Sequence, residues 1–355
     1  MLSQDHTDPL DAAAVRAELS DILFGFMRTQ ALATAAKLGL ADIVDDAATD
    51  VAEIARRAAA DEASICRLLR FLASYGVFEE VAPGRFAPTR LSKGLSSSAP
   101  LTLRYIAIAM GSEHYEAWGD ALHTFATGEP AFEHRFGKPY FDYLGEHQEQ
   151  STTFNRAMAA GTNARVQALV DLDWSGHTRV ADIGGGSGTA IAAVLAANPH
   201  LEGVLFDLPT VVAEAPEVLS AAGVADRCSI VAGSFLSDPL PPADVYVLSQ
   251  ILHDWDDEHA VTILRNCRRT IVDDGRLLIL DGVVPPGPEP SFLKHMDLHM
   301  LVMLGGKERT ESEWHELLAA ANFEIVRVAP AGPADLIEAR PVSADRGETI
   351  TSSAA

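Results

Sequence analysis

The chain has 355 residues, 50 of them acidic against 27 lysines and arginines, for a formal net charge of −23, with 48% hydrophobic residues and three cysteines. That apolar share is enough to build cores over two or three domains, which excludes a fibrous or wholly unstructured chain. The negative balance repels phosphate backbones and anionic lipid surfaces, so small molecules become the expected ligands and neither nucleic acid nor membrane is an expected partner.

Cys66, Cys228 and Cys267 show no C-x-x-C or Cys/His pairing, which fits a reducing compartment without structural zinc. The first residues, Met1 to Pro9, are polar and carry no apolar stretch, and the expected location is the cytoplasm.

Between Val15 and Val44, Leu19, Ile22, Leu23, Phe26, Met27, Leu32, Leu38 and Ile43 recur at helical spacing, interrupted by Gly39. One or two amphipathic helices with large apolar side chains at a terminus need a covering surface, and a second copy of the chain is the expected one. Two more helices are predicted over Val51 to Ala59 and Glu62 to Tyr75, then a hairpin of Val77–Val81 and Arg85–Pro88 across Pro83-Gly84. This order has a winged-helix outline. The second helix is dominated by Ile65, Leu68, Leu69, Phe71 and Leu72, which leaves few cations for a groove and argues against DNA recognition.

The cluster Gly94, Ser96, Ser97, Ser98 and Pro100 marks a loop, followed by helical stretches expected over Leu101 to about Thr127 and Thr152 to Leu172. After Trp174-Ser175-Gly176, short apolar runs alternate with helical ones. Strands are expected at Arg179–Ile183, Gly203–Phe206, Ser229–Val231, Asp244–Leu248, Arg276–Leu280 and Phe323–Val328. Helices are expected at Thr189–Ala197, Val211–Ala222, His259–Ile271 and Ser312–Ala321. The class is therefore α/β, a doubly wound, mostly parallel Rossmann-like sheet behind an all-helical and winged-helix front domain. The expected division is 1–100 for the front domain, 101–172 for linking helices, 173–342 for the sheet domain and 343–355 for a small, polar, disordered tail.

Val180-Ala181-Asp182-Ile183-Gly184-Gly185-Gly186-Ser187-Gly188-Thr189 is a strand entering a glycine-rich turn and then a helix. Such a turn lets a ligand approach the backbone and offers it the free N–H groups of the helix start. Asp207 ends the next strand, where a carboxylate suits ribose hydroxyls, so the pair reads as a nucleoside site. Thr189 breaks the G-x-G-x-x-G fingerprint and no G-K-[ST] follows, which disfavours a nicotinamide dehydrogenase and a P-loop enzyme.

Gly233-Ser234-Phe235 after the third strand reads equally as an adenine contact or an ordinary turn. His253, just past the fourth strand in His253-Asp254-Trp255, stands where such sheets bind substrates, and reads as a catalytic base or as a solvated residue before a helix. Asp281 and Glu308 can reach that face. His295, Asp297 and His299 lack the H-E-x-x-H form, so no metal is expected. Met296, Met300 and Met303 read as core or as a pliable pocket wall.

Taken together, Asp182-Ile183-Gly184-Gly185-Gly186-Ser187-Gly188, Phe206-Asp207-Leu208-Pro209, His253-Asp254-Trp255 and Gly305-Gly306-Lys307-Glu308-Arg309-Thr310 resemble one family. It is that of the S-adenosylmethionine-dependent small-molecule O-methyltransferases, which includes plant caffeate-type enzymes and bacterial enzymes that tailor natural products. Phe154-Asn155-Arg156-Ala157-Met158 is similar to the family's interdomain helix, and the likeness spans roughly Val15 to Glu338.

The resemblance implies S-adenosylmethionine as cofactor, held by Asp182, Gly184, Gly186, Asp207, Leu208, Ser234, Phe235 and Ser249. It implies His253 as general base flanked by Asp281 and Glu308, and Phe154, Met158, Trp255, Met300 and Met303 facing the acceptor. It also implies a homodimer through the N-terminal helices. The chain departs from the plant members, which usually have Asp where it has Ser234, Lys where it has Ser249 and Glu where it has Asp281.

The implied reaction is methyl transfer to a phenolic or enolic hydroxyl of a small aromatic metabolite. Alternatives are a non-methylating reaction on the same scaffold (decarboxylation, hydroxylation or cyclisation) and a ligand-sensing winged-helix regulator.

Overall fold

A computed structural model describes residues 9–332 and 334–342. The expected tail from Ser343 onward lies outside the described residues, as do Met1 to Asp8. Two compact units divide the chain: one runs to Glu116 and adds Glu149–Ala157, and the other comprises Ala117–Gln148 and the chain from Met158 onward.

In the first unit the helices Pro9–Leu23 and Gly25–Lys37 cover the stretch predicted from helical spacing, with Leu40–Ile43 following Gly39. Asp50 caps Val51–Arg57 by accepting from the Ala52 N–H at 2.9 Å, and Asp61 caps Glu62–Ser74 by accepting from Ser64 N–H at 2.8 Å. Such caps satisfy the otherwise unpaired first N–H groups of each helix. Ile65, Leu69 and Leu72, spaced four and three apart, bury one face of the second helix, and Phe78 and Phe86 from the hairpin close the same core.

Several basic residues of this winged outline are engaged on their own unit. Arg70 forks onto Glu80, Arg56 onto Glu53, and Lys93 pairs with Asp46. Leu19, Ile22, Leu23, Phe26 and Met27 of the terminal helices stand exposed.

The helix expected over 101–127 is broken into Arg104–Met110, Glu113–Trp118 and Ala121–Thr127. Gly111 and Gly119 at the breaks weaken helical continuity. Gly111 also lies so close to helix Gly25–Lys37 that a Cβ there would meet the Ala33 Cβ at 2.1 Å. The helix expected from Thr152 begins earlier, spanning Gln148–Val170, and Ala131–Phe136, Tyr140–Glu146 and Phe292–Leu304 are helices without a predicted counterpart.

The second unit holds a sheet of seven described strands: β1 (Arg179–Ile183), β2 (Glu202–Asp207), β3 (Cys228–Ala232), β4 (Val245–Ser249), β5 (Arg276–Asp281), β6 (Phe323–Ala331) and β7 (Ala334–Pro341), in spatial order β6-β7-β5-β4-β1-β2-β3. The five from β5 to β3 run parallel; β7 inserts antiparallel between β5 and β6, so that β6 runs in the direction of the five.

Alternation of side chains divides the strands between two cores. Ala181, Ile183, Tyr246, Leu248, Leu277 and Ile279 pack with helices Asp257–Thr270 and Glu311–Ala320, while Val180, Val245, Val247, Leu278 and Leu280 pack with helix Thr189–Ala197. Burial on both faces is why these strands read as continuous apolar runs. β7 carries Asp335, Glu338 and Arg340, and so lacks that signature. Glu338 pairs with Arg276 at 2.8 Å and Arg327 at 2.7 Å on the neighbouring strands.

Candidate active site

The parallel order brings the carboxyl ends of β1, β2 and β4 side by side. From β1 the chain enters the Gly184–Gly188 turn and then helix Thr189–Ala197. Gly184 has φ +70°, and a Cβ on it would stand 2.4 Å from Ile251 Cδ1, so only glycine fits. Gly186 has φ +63° with nothing within 4 Å of its missing Cβ, an open approach to the backbone.

Asp207, at the end of β2, accepts from Gly186 N–H at 2.9 Å through one carboxylate oxygen and from Leu208 N–H at 2.7 Å through the other. Burial raises its pKa against those two donors. The carboxylate therefore braces the turn and retains lone pairs for hydroxyl donors.

Asp182 is placed differently from an open ligand contact. It is 2% exposed, its carboxylate oxygens have no hydrogen-bond partner among the described residues, and Gly185 lies directly over it, with Asp182 Cγ 2.5 Å from where a Cβ would be. Burial and then the charge of Asp207 push its pKa up to about 7.

Phe235 stands edge-on to Trp255 with ring centroids 5.9 Å apart and approaches the Gly184 turn. The Phe235 carbonyl accepts from Asn266 Nδ2–H at 2.8 Å. Ser234 is engaged by its own loop, its N–H donating to Asp238 at 2.8 Å. Ser249 closes β4, pairing in register with Leu280 of β5, and Leu208 is exposed just past Asp207.

Immediately after Ser249 the chain makes an unpredicted excursion. Gln250 takes φ +57°, a left-handed conformation that costs a non-glycine residue on the order of 1 kcal/mol or more. In that position its side-chain amide donates to Asp281 Oδ1 at 3.0 Å and to the Leu280 carbonyl at 3.2 Å.

The short 3₁₀ turn Leu252–Asp254 follows and carries His253, which is buried. Its Nδ1 lies 2.8 Å from Glu308 Oε1 and 3.8 Å from Asp281 Oδ1, and its Nε2 lies 3.3 Å from Asp254 Oδ1. With a carboxylate as acceptor, Nδ1 is the donor, which leaves Nε2 as the atom able to exchange a proton.

Burial opposes charge on this ring, yet Asp281, Asp254 and Glu308 outweigh it and push its pKa up to about 10. Burial in turn raises Asp281 to about 7 and Asp254 to about 6, each held back by the imidazolium. A half-buried guanidinium, Arg165 of helix Gln148–Val170, adds a positive charge felt by Asp281.

Glu308 reaches His253 because helix Phe292–Leu304 ends at Gly305 and the chain turns back at Gly306. A Cβ on Gly306 would stand 2.2 Å from the His253 carbonyl oxygen, and Lys307 N–H donates to that oxygen at 2.9 Å. Met300 and Met303 of this helix are buried, and the Met300 carbonyl accepts from Gly306 N–H at 3.2 Å. Met158 and Phe154 lie on helix Gln148–Val170, Phe154 in the part grouped with the first unit.

The histidines considered for metal are engaged elsewhere. His299 Nδ1 accepts from Trp118 Nε1–H at 2.9 Å, and burial lowers its pKa to about 4. Asp297 accepts from Glu308 N–H at 3.1 Å. Among the described residues no cluster of three or more His, Cys, Asp or Glu is arranged to hold a metal ion, and no helix is long and apolar enough to cross a membrane.

Gln250 and Arg309 were not singled out from the sequence. A glutamine between a strand end and a histidine carries no spacing signal, and Arg309 was legible only as one letter of Gly305–Thr310.

Models of an O-methyltransferase domain and an O-methyltransferase dimerisation domain match residues 118–324 and 20–112. The chain is 46% identical over 326 residues to the phenazine O-methyltransferase PhzM of Lysobacter antibioticus, covering 91% of this chain and 96% of that protein. The structure of the mitomycin 7-O-methyltransferase MmcR superposes with a TM-score of 0.88 at 35% identity, covering 94% of this chain and 100% of that one. NcsB1, an O-methyltransferase from neocarzinostatin biosynthesis solved with S-adenosylmethionine and 2-hydroxy-5-methyl naphthoic acid, gives 0.78 at 32% identity over 89% of this chain and 96% of its own. The chain belongs to the S-adenosylmethionine-dependent O-methyltransferase family.

Proposed function

We propose that this protein methylates a phenolic or enolic hydroxyl of a small aromatic secondary metabolite, with His253 as general base. The observation that carries the reading is the pairing of His253 Nδ1 with Glu308 Oε1 at 2.8 Å, which fixes the ring and reserves Nε2 for the acceptor proton.

The glycine turn fits the cofactor, since Gly186 leaves open space at its backbone and Asp207, at the end of the adjacent strand, bonds the turn at Gly186 N–H while keeping lone pairs for hydroxyl donors. In this assignment Gly184, Gly186, Asp207 and Leu208 hold the methionyl and ribose parts. Ser234, Phe235 and Ser249 flank the base, and Asp182 supports the turn from beneath. When bound, S-adenosylmethionine supplies an electrophilic methyl on a sulfonium whose positive charge offsets the carboxylates around His253.

His253 Nε2 then takes the acceptor proton as the oxygen is alkylated, and Asp254, 3.3 Å away, stabilises the charge that results. Glu308 and Asp281 hold the ring's other edge. Trp255, Met158, Met300, Met303 and Phe154 are assigned to the acceptor, whose aromatic face suits thioethers and indole.

Acidity selects the hydroxyl. An ordinary imidazole of about 6.5 lies roughly 3.5 units below a phenol of about 10, or about 5 kcal/mol. Against burial, Asp281, Asp254 and Glu308 raise the His253 pKa above the ordinary value and narrow that gap, while the positive charge of the cofactor opposes protonation of the ring before the acceptor binds. An aliphatic hydroxyl near the value of water, about 15.7, lies about 12 kcal/mol above an ordinary imidazole.

The proposal extends to a homodimer through the exposed N-terminal helices of the 1–100 domain, linking helices in 101–172, catalysis in 173–342, and a cytoplasmic setting, which the free thiols of Cys66, Cys228 and Cys267 suit. The test supplies candidate phenols and S-adenosylmethionine to wild type and His253→Ala. The variant binds cofactor and transfers no methyl group. Retained turnover rejects His253 as base, and a product mass without an added methyl rejects methylation.

A further inference from the structure

We propose that Arg309 is the positioning residue of this site, clamping the turn that carries His253 to the segment that carries Glu308. The proposal rests on the reading of His253 above, and on one buried guanidinium whose contacts bracket both residues. Arg309 is 0% exposed. Its Nη1 donates to the Leu252 carbonyl at 2.8 Å and to the Lys307 carbonyl at 3.1 Å, and its Nη2 donates to the Trp255 carbonyl at 2.9 Å. Leu252 and Trp255 stand on either side of His253-Asp254, and Lys307 immediately precedes Glu308. The guanidinium also lies over the Trp314 ring, 5.5 Å from its centroid, which fixes its plane.

The fourth contact is Nε to Asp257 Oδ1 at 3.0 Å, but Asp257's side chain is 57% exposed. Solvent screens that ion pair, so the carbonyl bonds do the positioning. A planar fork with donors on three nitrogens can reach carbonyls on two chain segments at once, whereas a lysine ammonium presents its donors from one point. The spacing of His253 and Glu308 is thus set jointly by this fork and by the Gly306 contact. Misplacement of a ring by a fraction of an ångström weakens its charge-assisted hydrogen bond steeply.

The experiment follows the imidazole of His253 by histidine-selective NMR in the full chain, its signal assigned by its loss in His253→Ala. Arg309→Lys keeps the charge and removes the fork. We expect the His253 titration midpoint to fall by about one unit or more as Glu308 loses alignment, while S-adenosylhomocysteine binds with unchanged affinity. Asp257→Asn leaves both readings as in wild type. Should Arg309→Lys not fold, Arg309→Gln is read instead by loss of the downfield Nδ1–H resonance of His253, because removing the positive charge by itself raises the titration midpoint.

An unchanged His253 titration in folded Arg309→Lys, with only a lower melting temperature, overturns the proposal, as does a retained Nδ1–H resonance in Arg309→Gln or an equal shift in Asp257→Asn. Because this readout involves no turnover, it stands apart from the His253→Ala methylation test: either result can fail while the other holds.

Discussion

Glu308 Oε1 lies 2.8 Å from His253 Nδ1 although the two residues are 55 positions apart, and both side chains are buried. Replacing Glu308 by Gln keeps an acceptor oxygen and removes the charge that favours the imidazolium. The expected result is a fall in kcat of about ten- to a hundredfold, with the acidic limb of the pH–rate profile moved to lower pH. An unshifted limb in steady-state kinetics across pH would show that Glu308 does not act on the ring.

Asp182 gives a second pH prediction, on stability. Its carboxyl is pushed up to about 7 from an ordinary 3.8 by burial and the neighbouring Asp207. The folded protein therefore holds a proton between those values that the unfolded chain releases. Stability from this group is complete below about 4 and is lost as pH rises through 7, by about 4 kcal/mol in all. Asp182→Asn removes that slope. Denaturant unfolding at pH 5 and pH 8 measures it, and parallel pH dependence in variant and wild type would refute it.

Gly306 tests the brace beneath His253. An added Cβ would stand 2.2 Å from the His253 carbonyl oxygen and 2.7 Å from the Asp254 carbonyl carbon, neither of which can yield without moving the turn. Gly306→Ala should cost about 1–3 kcal/mol of stability and lower turnover further than that loss explains. Gly145, inside helix Tyr140–Glu146 with nothing within 4 Å of its missing Cβ, is the control. Its replacement by Ala should stabilise by up to about 1 kcal/mol. Equal melting temperatures and turnover in both variants would dispose of the brace.

The terminal helices make the third kind of claim. Ile22 and Leu23 are 74% and 67% exposed in the first unit, an apolar surface that water penalises unless a second copy covers it. Ile22→Glu with Leu23→Glu should convert a dimer to a monomer in sedimentation velocity. A wild-type chain that already sediments as a monomer would end the dimer proposal.

Local pattern determines much of this protein. Apolar runs of strand length alternating with helices yield β1 to β6 to within a few residues; for β1, β2, β4 and β5 the reason is that a strand buried on both faces leaves a continuous apolar signature. The Gly184–Gly188 turn was legible because only glycine tolerates its backbone. His253 was legible because the end of a parallel strand is where the turn must open.

The charged strand β7 has no apolar signature, since its Glu338 is neutralised by Arg276 and Arg327 on other strands. The break at Gly111 in the stretch 101–127 depends on its close approach to Ala33, a residue far away in sequence. Composition and periodicity report on neighbours a few positions away. The convergence of Glu308 and Asp281 on one imidazole, with Gln250 bonded to Asp281, the fork of Arg309 and the sealing of Asp182 beneath Gly185 depend on strand order and close approach between distant segments. Those follow from packing, and tertiary structure alone decides them.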